Sequence, residues 1–529
     1  MIESPSLVLP SAGNRLSARS IAAGLAAASL LAGCSVGPDF LRPGPPKDAG
    51  YTPQPLPVAT ASASVHGGAA QHFASGADIP FKWWELFGSQ PLDALVDRAI
   101  AANPTVPAAK AALAQAQELV YAQEGYFFPT IAAGYQIERQ KLPGNLATST
   151  APGPQGNGRI IAPSAPGRPV YFNFHTAQVT VSYAPDVFGL NRRQVESLEA
   201  QAQVQRFELE ATYTTLAANV VAAAVQEASV RAQIAATKEI IDVDSKALDV
   251  LKGQFKLGYV MRIDVAAQEA ALAQAKQLLP PLENELDQTR DLLRALAGNL
   301  PNEEIGATFE IGALKLPQGL PVSLPSKLVD QRPDVRAAEA QLHAANAQVG
   351  VAIANRLPQF AITGAYGGTA ASFDQMFKPG GSFWNIIGSV TGTVFDGNTL
   401  LHQERAADQA LLQAAFQYRS TVITAYQNVA DSLHALVHDA DALRAADEAE
   451  RAARVTLDLT RKQLGVGYVN YLTLLNAETT YQQALLSLTQ AQAARFGDTA
   501  ALFLALGGGW WNRQDVASTD STAPEGARE

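Results

Sequence analysis

A chain of 529 residues with 47% apolar residues, 17% charged residues and a formal charge of −10 can bury several cores, but its composition is unlike that of a compact enzyme. The acidic balance leaves no basic stripe to meet phosphate, which excludes a nucleic-acid binder; Arg192-Arg193 is an isolated pair. Cys34 is the single cysteine, so no intramolecular disulfide can form.

Arg15 and Arg19 precede an apolar run from Ile21 to Leu31. A run that short is a signal-peptide core and does not cross a bilayer as a helix. It ends in Leu31-Ala32-Gly33-Cys34, the pattern of the cleavage and lipidation signal of bacterial lipoproteins, in which the cysteine becomes the acylated first residue. The alternative is an incidental cysteine in an ordinary signal peptide. The stretch before Arg15 is long for such a signal, which leaves a start downstream of Met1 open. Residues 1–33 are therefore assigned to a signal peptide and 34–80 to an acylated tether, because Ser35 to Ile79 is rich in Pro, Gly, Ala and Ser with little periodicity.

The aromatic cluster Phe81 to Phe87 opens the folded body. Leu92, Leu95, Val96 and Ile100 share one face of a short helix, and Asn103-Pro104 starts a second that ends near Phe128-Pro129, giving a helical segment over 81–128. The period then changes to two. Ile131, Ala133, Tyr135 and Ile137 alternate with smaller or polar residues, and Tyr171 to Tyr183 continues the pattern through Val179 and Val181, so 129–187 is read as a β-hairpin. A loop rich in Gly, Pro and Ser, from about Leu142 to Pro169, joins its strands.

From Phe188 to Gly298 the pattern is a very long helix that folds back at Gly258 into a shorter antiparallel partner. Proline is absent between Pro185 and Pro280, strong helix formers dominate, and Ile234, Ile241, Leu248 and Phe255 recur every seven residues with Val230 and Leu251 at intervening seam positions. At 1.5 Å per residue such a helix is roughly 100 Å long and is stable only if its apolar stripe is buried. Pro280-Pro281 is expected to interrupt and kink the return helix.

The whole arrangement then recurs. Pro104 and Pro129 correspond to Pro333 and Pro358, shifted by 229 positions (333 − 104), while Gln254, Gly258, Tyr259, Val260 and Gly298 reappear as Gln463, Gly467, Tyr468, Val469 and Gly507, shifted by 209 (467 − 258). Residues 299–357 form a linker and the second helical segment. A second hairpin occupies 358–397, with Phe360, Ile362, Tyr366, Trp384, Ile386, Val390 and Val394 as strand positions and a shorter loop from about Thr369 to Ser382. A second arm pair occupies 398–507, its seam marked by Leu436, Leu443, Leu457 and Leu464 with Glu450 as the one break. The polar stretch 508–529 is read as a disordered tail, its Trp pair capping the helix end.

Four strands in two hairpins cannot span a bilayer as an open sheet, since lipid leaves no edge unsatisfied. Other copies of the chain must complete it: a dimer gives eight strands with a plugged interior, a trimer twelve with room for a pore. The alternative is a soluble sheet packed on the helices.

These residues resemble the outer-membrane factor family of tripartite efflux systems, the TolC-like outer-membrane lipoprotein channels of NodT type. The resemblance runs from Cys34 to about Gly507. It rests on Cys34-Ser35-Val36-Gly37-Pro38-Asp39-Phe40, on Trp83-Trp84 with Leu86-Phe87, and on Arg332-Pro333-Asp334-Val335 followed by Ala338-Glu339 and Leu342. Asp186-Val187-Phe188-Gly189 ahead of Arg192-Arg193 and Val394-Phe395-Asp396-Gly397 complete the set. The resemblance implies an α+β membrane channel: a homotrimer whose long antiparallel helices form a coiled-coil barrel in the periplasm, continuous with a twelve-stranded transmembrane β-barrel in the bacterial outer membrane. It makes the two helical segments equatorial. It also implies a periplasmic adaptor protein and an inner-membrane efflux transporter as partners, a diacylglycerol and N-acyl lipid on Cys34 contacting outer-membrane lipid, and small amphiphilic compounds or drugs as cargo. A protein-secretion duct, a metal-ion duct and a structural envelope-spacing lipoprotein are the alternatives. Met1, Met261 and Met376 are the only methionines, so no soft-metal pathway is visible.

A duct of this kind does no chemistry, and its control point lies where the arms turn, at Gly258 and Gly467. In the family the aperture is lined by Asp residues after the second turn; here Thr473 and Asn476 stand in their place, able to hydrogen-bond without charge. In the first copy Asp264 is equivalent to Thr473, with Arg262 beside it. Both are expected to carry polar contacts to the neighbouring arm that hold the tip closed, the alternative for Asp264 being a helix cap. His434 and His438 have metal-compatible spacing, but Ala435 stands where a zinc protease needs Glu, so no metal and no cofactor is assigned.

Overall fold

The computed structural model describes residues 35–46, 50–142 and 170–513. The signal-peptide reading of 1–33, the Cys34 lipidation site, most of the first hairpin's loop and residues 514–529 lie outside the described residues. In chain order the elements are β1 (His72–Ser75), α1 (Gln90–Ala102), α2 (Thr105–Glu124), β2 (Thr130–Leu142), β3 (Val170–Tyr183), α3 (Leu190–Lys256), α4 (Arg262–Leu296), β4 (Gly319–Val322), α5 (Pro325–Gln331), α6 (Pro333–Ala354), β5 (Gln359–Ala370), β6 (Ser382–Thr391), α7 (Thr399–Gly465) and α8 (Tyr471–Ala505). Among the described residues no helix is long and apolar enough to cross a membrane.

Two compact units divide the chain. One comprises residues 117–200 and 343–413 with the segment before Leu41. Its centre is a four-stranded antiparallel sheet in the order β2-β3-β5-β6, two hairpins joined through β3 and β5. The conformational switch from strand to long helix is made by a carboxylate in each copy. Asp186 accepts from the Asn191 and Arg192 N–H groups at 3.0 and 2.9 Å, and Asp396 accepts from the Leu400 N–H at 2.9 Å, each satisfying donors that a helix start leaves open. Strand β6 stops at Thr391, so Val394, expected as a strand position, is instead fully exposed in the turn that leads to this cap.

The start of the segment expected to be an extended tether is packed. Arg193, nearly buried at the start of α3, donates to the Val36 carbonyl at 3.0 Å and to Asp39 at 2.8 Å. Asn346 donates to the Pro38 carbonyl at 2.9 Å, and the Phe40 ring stacks on His343 with centroids 4.2 Å apart. Low periodicity concealed this because an extended strap is held by hydrogen bonds to its backbone rather than by an apolar stripe of its own.

The other unit holds residues 41–116, 201–342 and those after Gln413. Here β1 pairs in parallel with β4. Trp83, Trp84, Phe87, Phe496 and Phe503 form a buried aromatic core, Trp83 stacking on Phe503 at 5.1 Å. The repeat is visible atom by atom. Asn103, before the first Pro, donates to the Leu296 carbonyl at 2.9 Å, and Arg332, before the second, donates to the Ala505 carbonyl at 2.9 Å, so equivalent residues hold equivalent carbonyls at the ends of α4 and α8. Gly298 and Gly507 follow those ends at φ +78° and +99°; a Cβ there would lie 2.6 Å from the Ala102 carbonyl oxygen and 2.4 Å from that of Gln331, so only glycine fits.

Three further expectations are corrected. Helix α4 continues through Pro280 and Pro281, which sit on its exposed face where water can take the carbonyls they free. Phe255 is exposed and does not belong to the seam, whereas Val230, Ile234, Leu248 and Leu251 are buried. The folded chain also runs on past Gly507 to Arg513: Trp510 is buried and donates to the Gln331 carbonyl at 2.7 Å, Trp511 donates to Asp78 at 2.9 Å, and Arg513 pairs with Glu210. Glu450, the break in the second seam, is buried and paired with Arg454 one turn on, which explains how an apolar lattice tolerates it.

Candidate functional site

Two places can carry a transport function, and both follow from local sequence. The first is the sheet. Its register puts Ile131 beside Val181, Ala133 beside Val179, Val179 beside Tyr366 and Tyr366 beside Trp384, so these residues share one face with Ile137, Ile386 and Val390. The opposite face carries Gln136, Gln178, Thr180, Thr363, Asn385 and Ser389, with Phe383 and Ile387 among them. Ile131, Ile137, Trp384, Ile386 and Val390 are all more than 60% exposed, an apolar surface that a water-soluble protein would bury. Among the described residues strands β2 and β6 each pair on one side only, leaving two open edges.

The second place is the pair of turns between antiparallel helices. Gly258 and Gly467 adopt φ +78° and +76° in open space, and the turns share one hydrogen-bond pattern: Tyr259 N–H to the Gln254 carbonyl and Tyr468 N–H to that of Gln463, both at 2.9 Å. Leu257, Tyr259, Met261 and Ile263 on the first tip, with Val466, Tyr468 and Leu472 on the second, are exposed.

The residues singled out in sequence are found as follows. Asp264 accepts from the Met261 N–H at 3.0 Å and thereby caps α4, and Arg262 donates to Glu269 of its own helix at 3.1 Å. Thr473 donates its N–H and hydroxyl to Asn470, which caps α8, at 3.0 and 2.8 Å. Asn476 is exposed on the same helix. The two copies thus solve the same capping problem with reversed chemistry, carboxylate after the turn in one and carboxamide at the cap in the other. Within this chain the Asp264 and Arg262 side chains bond to their own helix, and the tie between the chain's own two arms is made elsewhere. His434 and His438 are exposed with rings 6.4 Å apart, and among the described residues no group of three or more metal-ligating side chains occurs.

That tie is a buried polar layer beside the turns, reaching from the first residue of α8 to the second turn of α4. Gln268, fully buried, donates to the Asp244 carbonyl at 3.0 Å and accepts from the Tyr471 hydroxyl at 2.7 Å. Tyr471 also packs between the two arms' apolar clusters, Leu248, Leu251, Val265 and Leu272 on one side and Leu457, Leu474 and Ala477 on the other. Burial raises the Asp244 carboxyl above its ordinary range against hydrogen bonds from Gln268 and Gln482 and the charge of Arg461. Burial likewise raises Glu478, which Arg461 opposes at 3.3 Å. The repeat held the signal for this layer: Asp244 and Gln268 stand where the second copy has the buried alanines Ala453 and Ala477, and Tyr471 stands where the first has Arg262. Polar residues in one copy against alanine in the other, on a buried seam, mark a contact between copies.

The family model described as outer membrane efflux protein matches residues 95–299 and 324–508, one stretch per copy. The pyoverdine export outer membrane protein OpmQ of Pseudomonas putida is 26% identical over 435 residues, covering 81% of this chain and 88% of that protein. The solvent efflux pump outer membrane protein SrpC of Pseudomonas putida is 25% identical over 490 residues, covering 91% and 96%. Among solved structures, the Campylobacter jejuni CmeC outer membrane channel superposes with a TM-score of 0.79 at 19% identity, over 92% of this chain and 98% of that one. The open state of the Neisseria gonorrhoeae MtrE outer membrane channel gives 0.74 at 23% identity, over 91% and 100%. At these identities the structural likeness concerns the fold.

Proposed function

Because the chain belongs to the outer membrane efflux protein family, we propose that it serves as a passive duct of three copies, receiving small amphiphilic organic compounds from an inner-membrane transporter through a periplasmic adaptor. The observation that carries this reading is the two-faced sheet with two open edges. Four strands cannot close a barrel, and neither lipid nor water satisfies both the exposed apolar face and the unpaired edges; copies of the same sheet satisfy both. Twelve strands place the polar face of each sheet toward a water-filled lumen and Trp384, Ile386 and Val390 toward lipid. The exposed apolar tips offer the adaptor a surface, and the buried layer around Gln268 is the contact that holds the two arms of one chain together beside the aperture. Lipidation of Cys34 adds an anchor at the outer membrane, next to a segment that is docked on its own protein from Val36 to Phe40. An envelope spacer uses none of the sheet's apolar face.

Reconstitution into vesicles containing brominated lipid tests the reading. Of the five tryptophans, Trp384 alone lies on the sheet, and bromine at acyl-chain depth is expected to quench its emission, with the quenching lost in Trp384→Phe. Emission indifferent to bromine in both proteins would assign the sheet to water and remove the duct.

A further inference from the structure

A strap from Ala59 to Ser75 closes on itself and on α8. The Thr60 N–H donates to the Gln71 carbonyl at 2.9 Å, and the Gln71 N–H donates to the Thr60 hydroxyl at 3.0 Å. One face of α8 receives this hairpin. Gln492 donates to the His66 carbonyl at 3.2 Å, Phe496 stacks on the His66 ring, the Thr499 hydroxyl accepts from Gln71 at 3.0 Å, and Arg495 donates through Nη2 to the Thr60 hydroxyl at 3.1 Å and to Gln71 Oε1 at 2.9 Å. Arg495 is fully buried, yet its Nε and Nη1 have no partner among the described residues. Across from it α7 contributes Asp439, whose Oδ2 is also buried with no partner among the described residues and whose carboxyl meets that of Asp498 on α8. A buried guanidinium therefore has one nitrogen on the strap and two unspent, beside a carboxyl pair with an unspent oxygen.

We propose that this is a proton-coupled latch: the Asp439–Asp498 pair, by keeping or releasing a shared proton to water, sets whether Arg495 holds Thr60 and Gln71 of the strap or is drawn back to the carboxylates. The groups facing Arg495 are the neutral Thr60 and Gln71 from the strap and Asp439 from α7; those facing Asp439 are Asp498 and Arg495 from α8. With one proton shared, the pair carries a single charge and the strap keeps Nη2. When that proton goes to solvent, no other bond changes, but a second negative charge appears against two unpaired guanidinium nitrogens, and the strap's two bonds compete with a doubly charged acceptor. Burial and the bond to Asp498 push the Asp439 carboxyl up to about 7, so the change falls within the range a periplasm experiences.

Hydrogen–deuterium exchange of the full chain in lipid nanodiscs tests this, following the peptide that spans Thr60 to Gln71 at about pH 6 and about pH 8.5, corrected for the intrinsic pH dependence of exchange. The latch predicts that strap exchange in the wild type rises about tenfold across that interval, the equivalent of one pKa unit of coupling. Asp439→Asn keeps the strap protected at both pH values, and Arg495→Gln leaves it equally fast at both. Should Arg495→Gln fail to fold, the near-isosteric Asp439→Asn still decides. Strap exchange that is unchanged or slower at high pH in the wild type, or that rises equally in Asp439→Asn, overturns the latch.

Discussion

Tyr471→Phe is the sharpest single perturbation of the tie between the arms. It keeps the ring that packs on both apolar clusters and removes only the hydroxyl that donates to Gln268 Oε1 at 2.7 Å. Gln268 has no exposed surface, and its amide remains committed to the Asp244 carbonyl, so its oxygen is left buried without a donor. A stranded acceptor of that kind costs about 1–3 kcal/mol, equivalent to a roughly 5–150-fold increase in local opening of the arms. The assay is hydrogen exchange across the tip, Gln254 to Leu272, with Gln268→Leu and the double variant to close a cycle. Because Gln268→Leu removes the stranded acceptor together with the bond, the double variant should cost less than the sum of the singles. Tip exchange in Tyr471→Phe that matches the wild type would refute the reasoning.

Three other outcomes follow from the same geometry. Gly507→Ala meets both a left-handed backbone and the Gln331 carbonyl oxygen 2.4 Å away and should lower stability by more than about 2 kcal/mol, whereas Gly258→Ala, in open space, should cost only the backbone term of about 1–2 kcal/mol; denaturant midpoints rank the two. Asp186→Ala and Asp396→Ala should each cost about 1 kcal/mol in thermal unfolding, and Asp186→Asn less than Asp186→Ala, because the carboxamide keeps one of the two accepting oxygens. A folded-state Asp439 raised to about 7 means that the native chain holds this proton longer than the unfolded one. Its contribution is complete below the ordinary carboxylate range and is lost as pH rises to about 7, so melting temperature should fall over that window in the wild type and stay flat in Asp439→Asn.

The repeat, the two hairpins and the long arms were legible because each is written in periodicity: a spacing of two for Ile131 to Ile137, of seven for Ile234 to Leu248, and a constant offset between copies. The packed strap was not legible, since Thr60, Gln71 and the backbone of Val36 are held by Arg495 and Arg193 from distant parts of the chain, and one-dimensional patterns carry no record of such partners. At the tips, Gly258 and Gly467 were identified by the turn they require. Asp264 and Arg262 were chosen by their place next to that turn, yet a charged residue in the first turn of a helix most simply serves the helix. The residues that join the arms sit at positions where the copies differ, Tyr471 in the place of Arg262 and Asp244 and Gln268 in the places of alanines, and reading the repeat for its differences as well as its identities would have found them.

The central claim is that copies of this sheet close a water-filled path, and planar-bilayer conductance of the purified protein tests it most directly, with the wild type and the Tyr471→Phe, Gln268→Leu double variant recorded side by side. The account predicts discrete current steps from the inserted protein, larger or more frequent once the tie between the arms is gone. Protein that enters the bilayer and carries no current in either form would contradict it.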